Sequence, residues 1–224
     1  MDSTATVLFY LQAESLLIIY TSLGFSTEQA SLSQVAIAIG CLLGFLPRLY
    51  DSRILSLRKE RGEPLAPEDK LFGFVLGAPT LALALWWFAW TIPPQVHTHW
   101  IASILALVPA GFALNDITFV LQGYLADSYT SYAASAFAGG LLARSLLIAG
   151  VLPFTHRMYT DISANAATSI IAAVATLFCI SPWVLLKHGE AIRKASPFAR
   201  YSFDVYVENQ VEDDMNTAGV AMET

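Results

Sequence analysis

Six long apolar segments divide this chain and leave it few folds to adopt. The hydrocarbon core of a bilayer is about 30 Å thick, and a helix needs roughly 20 apolar residues to cross it. Runs of this scale occupy residues 5–23, 33–49, 71–92, 100–124, 131–154 and 164–186. The first run is the weakest, because it contains Gln12 and Glu14. The pattern predicts an all-α membrane protein with six transmembrane helices.

The composition favours the same fold class. Hydrophobic residues make up 55% of the 224 residues and charged residues only 13%, whereas an ordinary soluble domain carries about 25% charged residues. The formal net charge of -6 arises mainly from acidic residues in the segment 201–224. We therefore expect one six-helix bundle over residues 1–200 and an acidic, disordered cytoplasmic tail over 201–224. No basic surface pattern indicates a nucleic acid partner.

The distribution of basic residues predicts the orientation in the membrane. Cytoplasmic loops retain Lys and Arg. One group edges or fills the loop between the second and third runs, and another follows the sixth run: Arg48, Arg53, Arg58, Lys59, Arg61 and Lys70, then Lys187, Arg193, Lys194 and Arg200. With six spans both groups fall on one side. We therefore expect both termini in the cytoplasm and an integral, multi-pass protein, in the plasma membrane rather than the vacuolar membrane.

Small residues recur every four positions in three of the runs. In lipid, such spacing lets helix backbones approach closely. The residues are Ala36, Gly40 and Gly44 in the second run, Gly73 and Gly77 in the third, and Ala136 and Gly140 in the fifth. The spacing predicts that these three helices pack tightly against neighbours.

Three ionisable side chains interrupt the runs near their middles: Glu14, Asp116 and Arg144. An arginine at the centre of a membrane helix costs about 2.5 to 3.5 kcal/mol on the insertion scale. We expect all three to face a shared polar interior, where Arg144 meets a carboxylate, a carbonyl or water. For Glu14 and Asp116 two interpretations stay open. Each is either a packing contact between helices or a cavity-lining group that binds a cation or exchanges protons.

Further polar residues near these three are candidates for the same site. Asn115 and Gln122 are expected on the wall of the cavity, in the run that carries Asp116. At the cytoplasmic side we expect a gate, for which the candidate residues are Asp51, Arg53, Tyr124 and Asp127. For Asp127 a simple contact at the helix end is the alternative.

Neither a metal, a cofactor nor an enzymatic site is predicted. His97 and His99 form an H-x-H pair without a third ligand nearby, which favours a solvated loop. Cys41 and Cys179 lie within apolar runs and are interpreted as small hydrophobic residues. The sequence contains no H-E-x-x-H or G-x-S-x-G motif, so it offers no signature of a membrane-embedded hydrolase.

One long run resembles a known family. "YLADSYTSYAASAFAGGLLARSLLIAGVLPFTHRMY", residues 124–159, resembles the tenth-to-eleventh helix region of fungal major facilitator superfamily transporters of the drug:proton antiporter class. "YLQAES", residues 10–15, is similar to the seventh-helix segment of those proteins, and Glu14 matches its glutamate. "PRLYDSRILSLRKERGEPLAPEDKLFGFVLGAP" resembles the cytoplasmic loop that follows, and "FARYS" resembles the place where such chains end.

The resemblance covers about residues 8–200 and only the carboxyl-terminal half of a twelve-helix transporter. It departs from the family at Gly123, where many relatives have asparagine. It implies transport of small organic molecules, drug-like or polyamine-like, by proton-coupled antiport. In this superfamily the substrate binds at mid-membrane between two six-helix halves, so one half supplies one wall.

The implied partners are the lipid bilayer, a small-molecule substrate and protons, together with either a missing amino-terminal half or a second copy of the chain. The alternative is a truncated membrane protein that does not transport, or a partner of a separate six-helix half.

Overall fold

The structure is a computed structural model that describes residues 1–46, 71–93, 99–129, 132–195 and 201. In those ranges the chain forms α-helices and no strand. The helices are α1 Asp2–Ser22, α2 Thr27–Leu32, α3 Gln34–Leu43, α4 Phe72–Thr91, α5 Trp100–Leu105, α6 Leu107–Tyr129, α7 Ala133–Asp161, α8 Ala164–Phe178 and α9 Ser181–Ala195.

Five helical stretches among the described residues are long and apolar enough to cross a membrane. They are Asp2–Ser22, Gly73–Thr91, Trp100–Ala126, Ala133–Tyr159 and Ala164–Gly189. These stretches agree with the first and the third to sixth predicted spans. The second predicted span, 33–49, is described only as far as residue 46. The all-helical membrane fold is thus confirmed, while the count of six helices stays a prediction, as does the tail over 201–224.

A tight turn carries the chain from α1 into α2, which leads on to α3. Gly24 adopts φ 88°, in the left-handed region that glycine occupies without steric cost. The Ser26 hydroxyl then accepts a hydrogen bond from the backbone N–H of Gln29. The Gln29 side chain accepts one in return from the backbone N–H of Ser26, so the two residues form a capping box.

Helix α6 is the centre of the bundle. Helix α3 packs on one side of it and α4 on another, and α8 packs on α4. Helix α1 contacts α6, α7 and α8, whereas α7 packs mainly on α1. The arrangement leaves much of α7 uncovered, and none of its residues between Ala133 and Phe154 is buried.

The crossing of α3 and α6 depends on two glycines. A Cβ added at Gly40 would meet the carbonyl oxygen of Val108, and one added at Gly111 would meet the carbonyl oxygen of Ile37. The two backbones are therefore in direct contact, which is how helices gain dispersion energy in a solvent that offers no hydrophobic drive.

Glycines also bring α4 against α6. A Cβ at Gly73 would lie 2.8 Å from Oδ1 of Asp116, and one at Gly77 would lie 2.8 Å from Cγ1 of Ile117. The prediction that small residues four positions apart allow tight packing is thus confirmed for the second and third predicted spans. For the fifth it is not met within the described part of the chain, where no atom lies within 4 Å of a Cβ placed at Gly140. Its side of α7 faces away from the helices described here.

A substitution at the α3–α6 crossing tests this packing. Gly40→Ala forces the two backbones apart, and overpacking of this kind costs about 1 to 3 kcal/mol. We expect a lower denaturation midpoint for the purified protein in detergent. The matched control is Gly140→Ala, which meets open space and replaces glycine by a better helix former worth up to about 1 kcal/mol. Equal losses for the two variants would contradict the close crossing.

Candidate functional site

An open groove of about 580 Å³ lies between α1, α3 and α7. This volume falls in the range of roughly 300 to 1,000 Å³ found for small-molecule pockets. The groove is lined mostly by apolar and aromatic side chains. The lining residues are Phe9, Tyr10, Ala13 and Glu14 of α1, Gln34, Ile37 and Ala38 of α3, and Leu152 of α7. We call this surface the Glu14 groove.

Glu14 is the one carboxylate among the groove-lining residues. Tyr10, Glu14 and Leu17 are all exposed, and their spacing of four and three residues places them on one face of α1. The opposite face is buried in the bundle, with Leu16 and Ile19 among its core residues. Glu14 is thus presented to whatever occupies the groove.

Arg144 meets a carboxylate, which is one of the expected kinds of partner, and that carboxylate belongs to Asp2. Its Nη1 lies 4.0 Å from Oδ2 of Asp2, and the two side chains are 24% and 30% exposed. This is an ion pair at the long end of the range, beyond hydrogen-bond distance. Neither Glu14 nor Asp116 is the partner, because α7 packs on α1 and brings Arg144 to the first turn of that helix.

Asp116 is buried in the contact between α4 and α6, with 6% of its surface exposed. Gly73 lies directly against its carboxylate. Asp116 is therefore on a different side of the bundle from Glu14 and is not part of the groove lining. The expectation that Glu14, Asp116 and Arg144 face one shared interior is wrong, since the three occupy a groove, a helix contact and an ion pair.

Asn115 holds α3 and α6 together. Its Nδ2 donates a hydrogen bond to the carbonyl oxygen of Cys41 at 3.1 Å. A Cβ at Gly44 would lie 2.7 Å from the same nitrogen. In this chain Asn115 supports helix packing and does not line the groove. Gln122 is partly exposed further along α6 and does not line the groove either.

The gate candidates are described only in part. Tyr124 is 9% exposed on α6, and Asp127 lies within the same helix, two residues before its end at Tyr129. Asp51 and Arg53 lie outside the described residues. The cytoplasmic gate therefore stays a prediction.

Several residues of the groove were missed by the sequence analysis. Phe9, Tyr10 and Gln34 line it but sit in segments that look like ordinary helix interior. Tyr10 carried a usable signal, because it precedes Glu14 by one helical turn. Gln34 carried none, since its place beside α1 depends on the turn at Gly24.

The chain is similar to several curated fungal transporters. It is 30% identical over 189 residues to an uncharacterized transporter of Schizosaccharomyces pombe. It is 32% identical over 203 residues to an efflux pump of Gibberella moniliformis. It is also 32% identical over 184 residues to a major facilitator superfamily multidrug transporter of Aspergillus fumigatus.

These matches cover 84%, 87% and 82% of this chain but 34%, 34% and 30% of the relatives. The chain thus spans about one third of the length of the curated relatives it matches. The sequence matches no family model, and no solved structure matches it. Together with the five apolar helices, the relatives identify an integral, multi-pass membrane protein.

Thiol labelling tests the placement of the two carboxylates. In a Cys41→Ala, Cys179→Ala background, we expect a charged methanethiosulfonate reagent to modify Glu14→Cys many times faster than Asp116→Cys. The reason is that Glu14 is exposed and Asp116 is buried. The rate is measured by the mass of the adduct over time in lipid nanodiscs. Similar rates at both positions, or no reaction at Glu14→Cys, would contradict an open groove.

Proposed function

We propose, from the premise that this chain is related in sequence to fungal major facilitator superfamily transporters, that it moves small amphipathic organic molecules across a membrane. In this proposal the chain acts as the carboxyl-terminal half of such a transporter, and the Glu14 groove forms one wall of the substrate site. The observation that carries the proposal is a single carboxylate in a groove lined mostly by apolar and aromatic side chains.

The lining of the groove suits a hydrophobic cation. Apolar side chains favour the body of such a molecule, because both surfaces leave water on binding. The exposed carboxylate of Glu14 favours its positive centre, and the rings of Phe9 and Tyr10 offer further attraction for a cation. The relatives named as an efflux pump and a multidrug transporter have names that agree with a substrate of this class.

Proton coupling follows if Glu14 serves both ligands in turn. The carboxylate carries one negative charge, which either a substrate cation or a proton neutralises. A proton that binds Glu14 displaces the cation, and a cation that binds displaces the proton. This competition is the minimum requirement for antiport, and it assigns the coupling role to Glu14 and a packing role to Asp116.

The exposure of α7 favours a second element of the proposal. A helix with no buried residue from Ala133 to Phe154 faces either lipid or another protein surface. We propose that it faces a second six-helix unit, which is either a separate amino-terminal half or another copy of the chain. A chain that is monomeric in lipid nanodiscs and shows no flux in sealed proteoliposomes would favour the alternative of a chain that does not transport.

The expected location and orientation complete the proposal. Both termini face the cytoplasm, and the protein resides in the plasma membrane rather than the vacuolar membrane. A tag placed at either end should then be digested by protease only after the cell is permeabilised.

Charge removal at Glu14 tests the substrate site. We expect Glu14→Gln to weaken the binding of a fluorescent lipophilic cation to the protein in nanodiscs by about fivefold or more. This change corresponds to about 1 kcal/mol, the upper part of the range for a partly exposed charge pair. Binding of an uncharged analogue of the same shape should be unchanged.

The matched control removes the same charge elsewhere. Glu28 is exposed on α2 and does not line the groove, so Glu28→Gln should leave both affinities as they are. The proposal fails if Glu14→Gln binds the cation as tightly as the unaltered protein does. It also fails if Glu28→Gln weakens binding equally, because the effect would then reflect net charge.

A further inference from the structure

A layer of polar side chains is buried between α1, α7 and α8. The hydroxyls of Tyr159 and Thr168 share a hydrogen bond of 3.0 Å. The Ser15 side chain lies beside the Tyr159 hydroxyl, and its own hydroxyl donates to the carbonyl oxygen of Gln12 at 2.6 Å. This layer lies behind the wall of the Glu14 groove, because Gln12 is next to Ala13 and Glu14 in α1.

Two side chains beside this layer are buried without partners. Gln12 is 2% exposed and Thr155 is 1% exposed. Within the described part of the chain, Nε2 and Oε1 of Gln12 and Oγ1 of Thr155 have no hydrogen bond. Each unmade bond costs about 1 to 3 kcal/mol, and the hydrocarbon core supplies no water to replace it.

Thr155 differs from other threonines of the bundle in one informative way. The hydroxyls of Thr80 and Thr176 each donate to the carbonyl four residues earlier in the same helix, at 2.8 Å. This is the usual way in which the hydroxyl of a helical threonine obtains a hydrogen bond in lipid. The hydroxyl of Thr155 does not make this bond, so it is available to a partner between the helices.

The register of α1 on α7 brings Gln12 and Thr155 to the same level. Asp2 pairs with Arg144 and Ser15 lies beside Tyr159, so the two helices run parallel. Gln12 precedes Ser15 by one turn, and Thr155 precedes Tyr159 by one turn. The two unsatisfied side chains therefore occupy adjacent places in the contact between α1 and α7.

We infer that an ordered water molecule is bound between α1 and α7 and bridges Gln12 to Thr155. The water accepts a hydrogen bond from the Gln12 amide and donates one to Oγ1 of Thr155, which gives it two of the two to four partners typical of buried water. Water suits this place because it can both donate and accept hydrogen bonds, and because the unsatisfied atoms comprise a donor and acceptors and carry no charge. The bound water links α1 to α7 behind the groove by hydrogen bonds. This inference does not depend on the transport proposal.

A double-mutant cycle in lipid nanodiscs tests the bridge. We expect Gln12→Met and Thr155→Val each to lower the temperature of unfolding, because each leaves the other side chain without its water. The double variant should unfold at a higher temperature than the sum of the two shifts predicts. The control cycle pairs Gln12→Met with Thr80→Val, whose hydroxyl is satisfied within its own helix, and should be additive. Additive shifts in the Gln12 and Thr155 cycle would overturn the inference.

Infrared difference spectroscopy in normal and ¹⁸O-labelled water observes the ligand directly. We expect an isotope-sensitive water band in the unaltered protein and in Thr155→Ser, which keeps the hydroxyl. The band should be lost in Thr155→Val, whether or not the double variant folds. A protein with no such band, or a band that persists in Thr155→Val, would overturn the inference.

Discussion

The hydrocarbon core of a bilayer offers no hydrogen bonds, so each polar group within it must find a partner inside the protein or face a hydrated space. Contacts between the described helices illustrate this constraint. Asn115 bonds a carbonyl of α3, and Asn165 bonds two carbonyls at the end of α4, at 2.8 and 3.1 Å. These contacts fix which helices are neighbours and leave α6 at the centre.

Close packing acts together with the polar contacts. Glycines of α3 and α4 approach α6 from two sides, and the short distances bring Asn115 within reach of the Cys41 carbonyl. Glycine spacing and interhelical hydrogen bonds therefore depend on each other, because a side-chain amide reaches only across a short distance between two helices. Glu14 differs from these polar side chains, since it is exposed in a groove and does not lie in a contact between helices. An ionisable group exposed in a groove is one that a ligand can reach, and this contrast supports a binding role.

The sequence predicted what depends on local hydropathy and not what depends on register between helices. Five spans were located because each is apolar over its own length. The fifth was ended at residue 154, although α7 continues to Asp161. Thr155 and Tyr159 lie beyond that predicted end, yet both are buried. Hydropathy averages over all faces of a helix and does not distinguish these cases.

The site was predictable only at Glu14, whose place in an apolar run was visible in the sequence. The partner of Arg144 was not, because Asp2 precedes the apolar run and meets Arg144 only through the alignment of α1 on α7. Gly140 matched the packing rule in spacing, but its outward side is set by the rotation of α7. Both failures concern the rotation and axial position of a helix, which the tertiary contacts determine.

The most direct test of the account is a cryo-electron microscopy structure of the protein in a lipid nanodisc with a bound lipophilic cation. The account predicts density for the ligand between α1, α3 and α7, with its positive centre beside the carboxylate of Glu14. Density for the cation against Asp116 or Arg144, or lipid chains that fill the groove while the cation binds elsewhere, would contradict it.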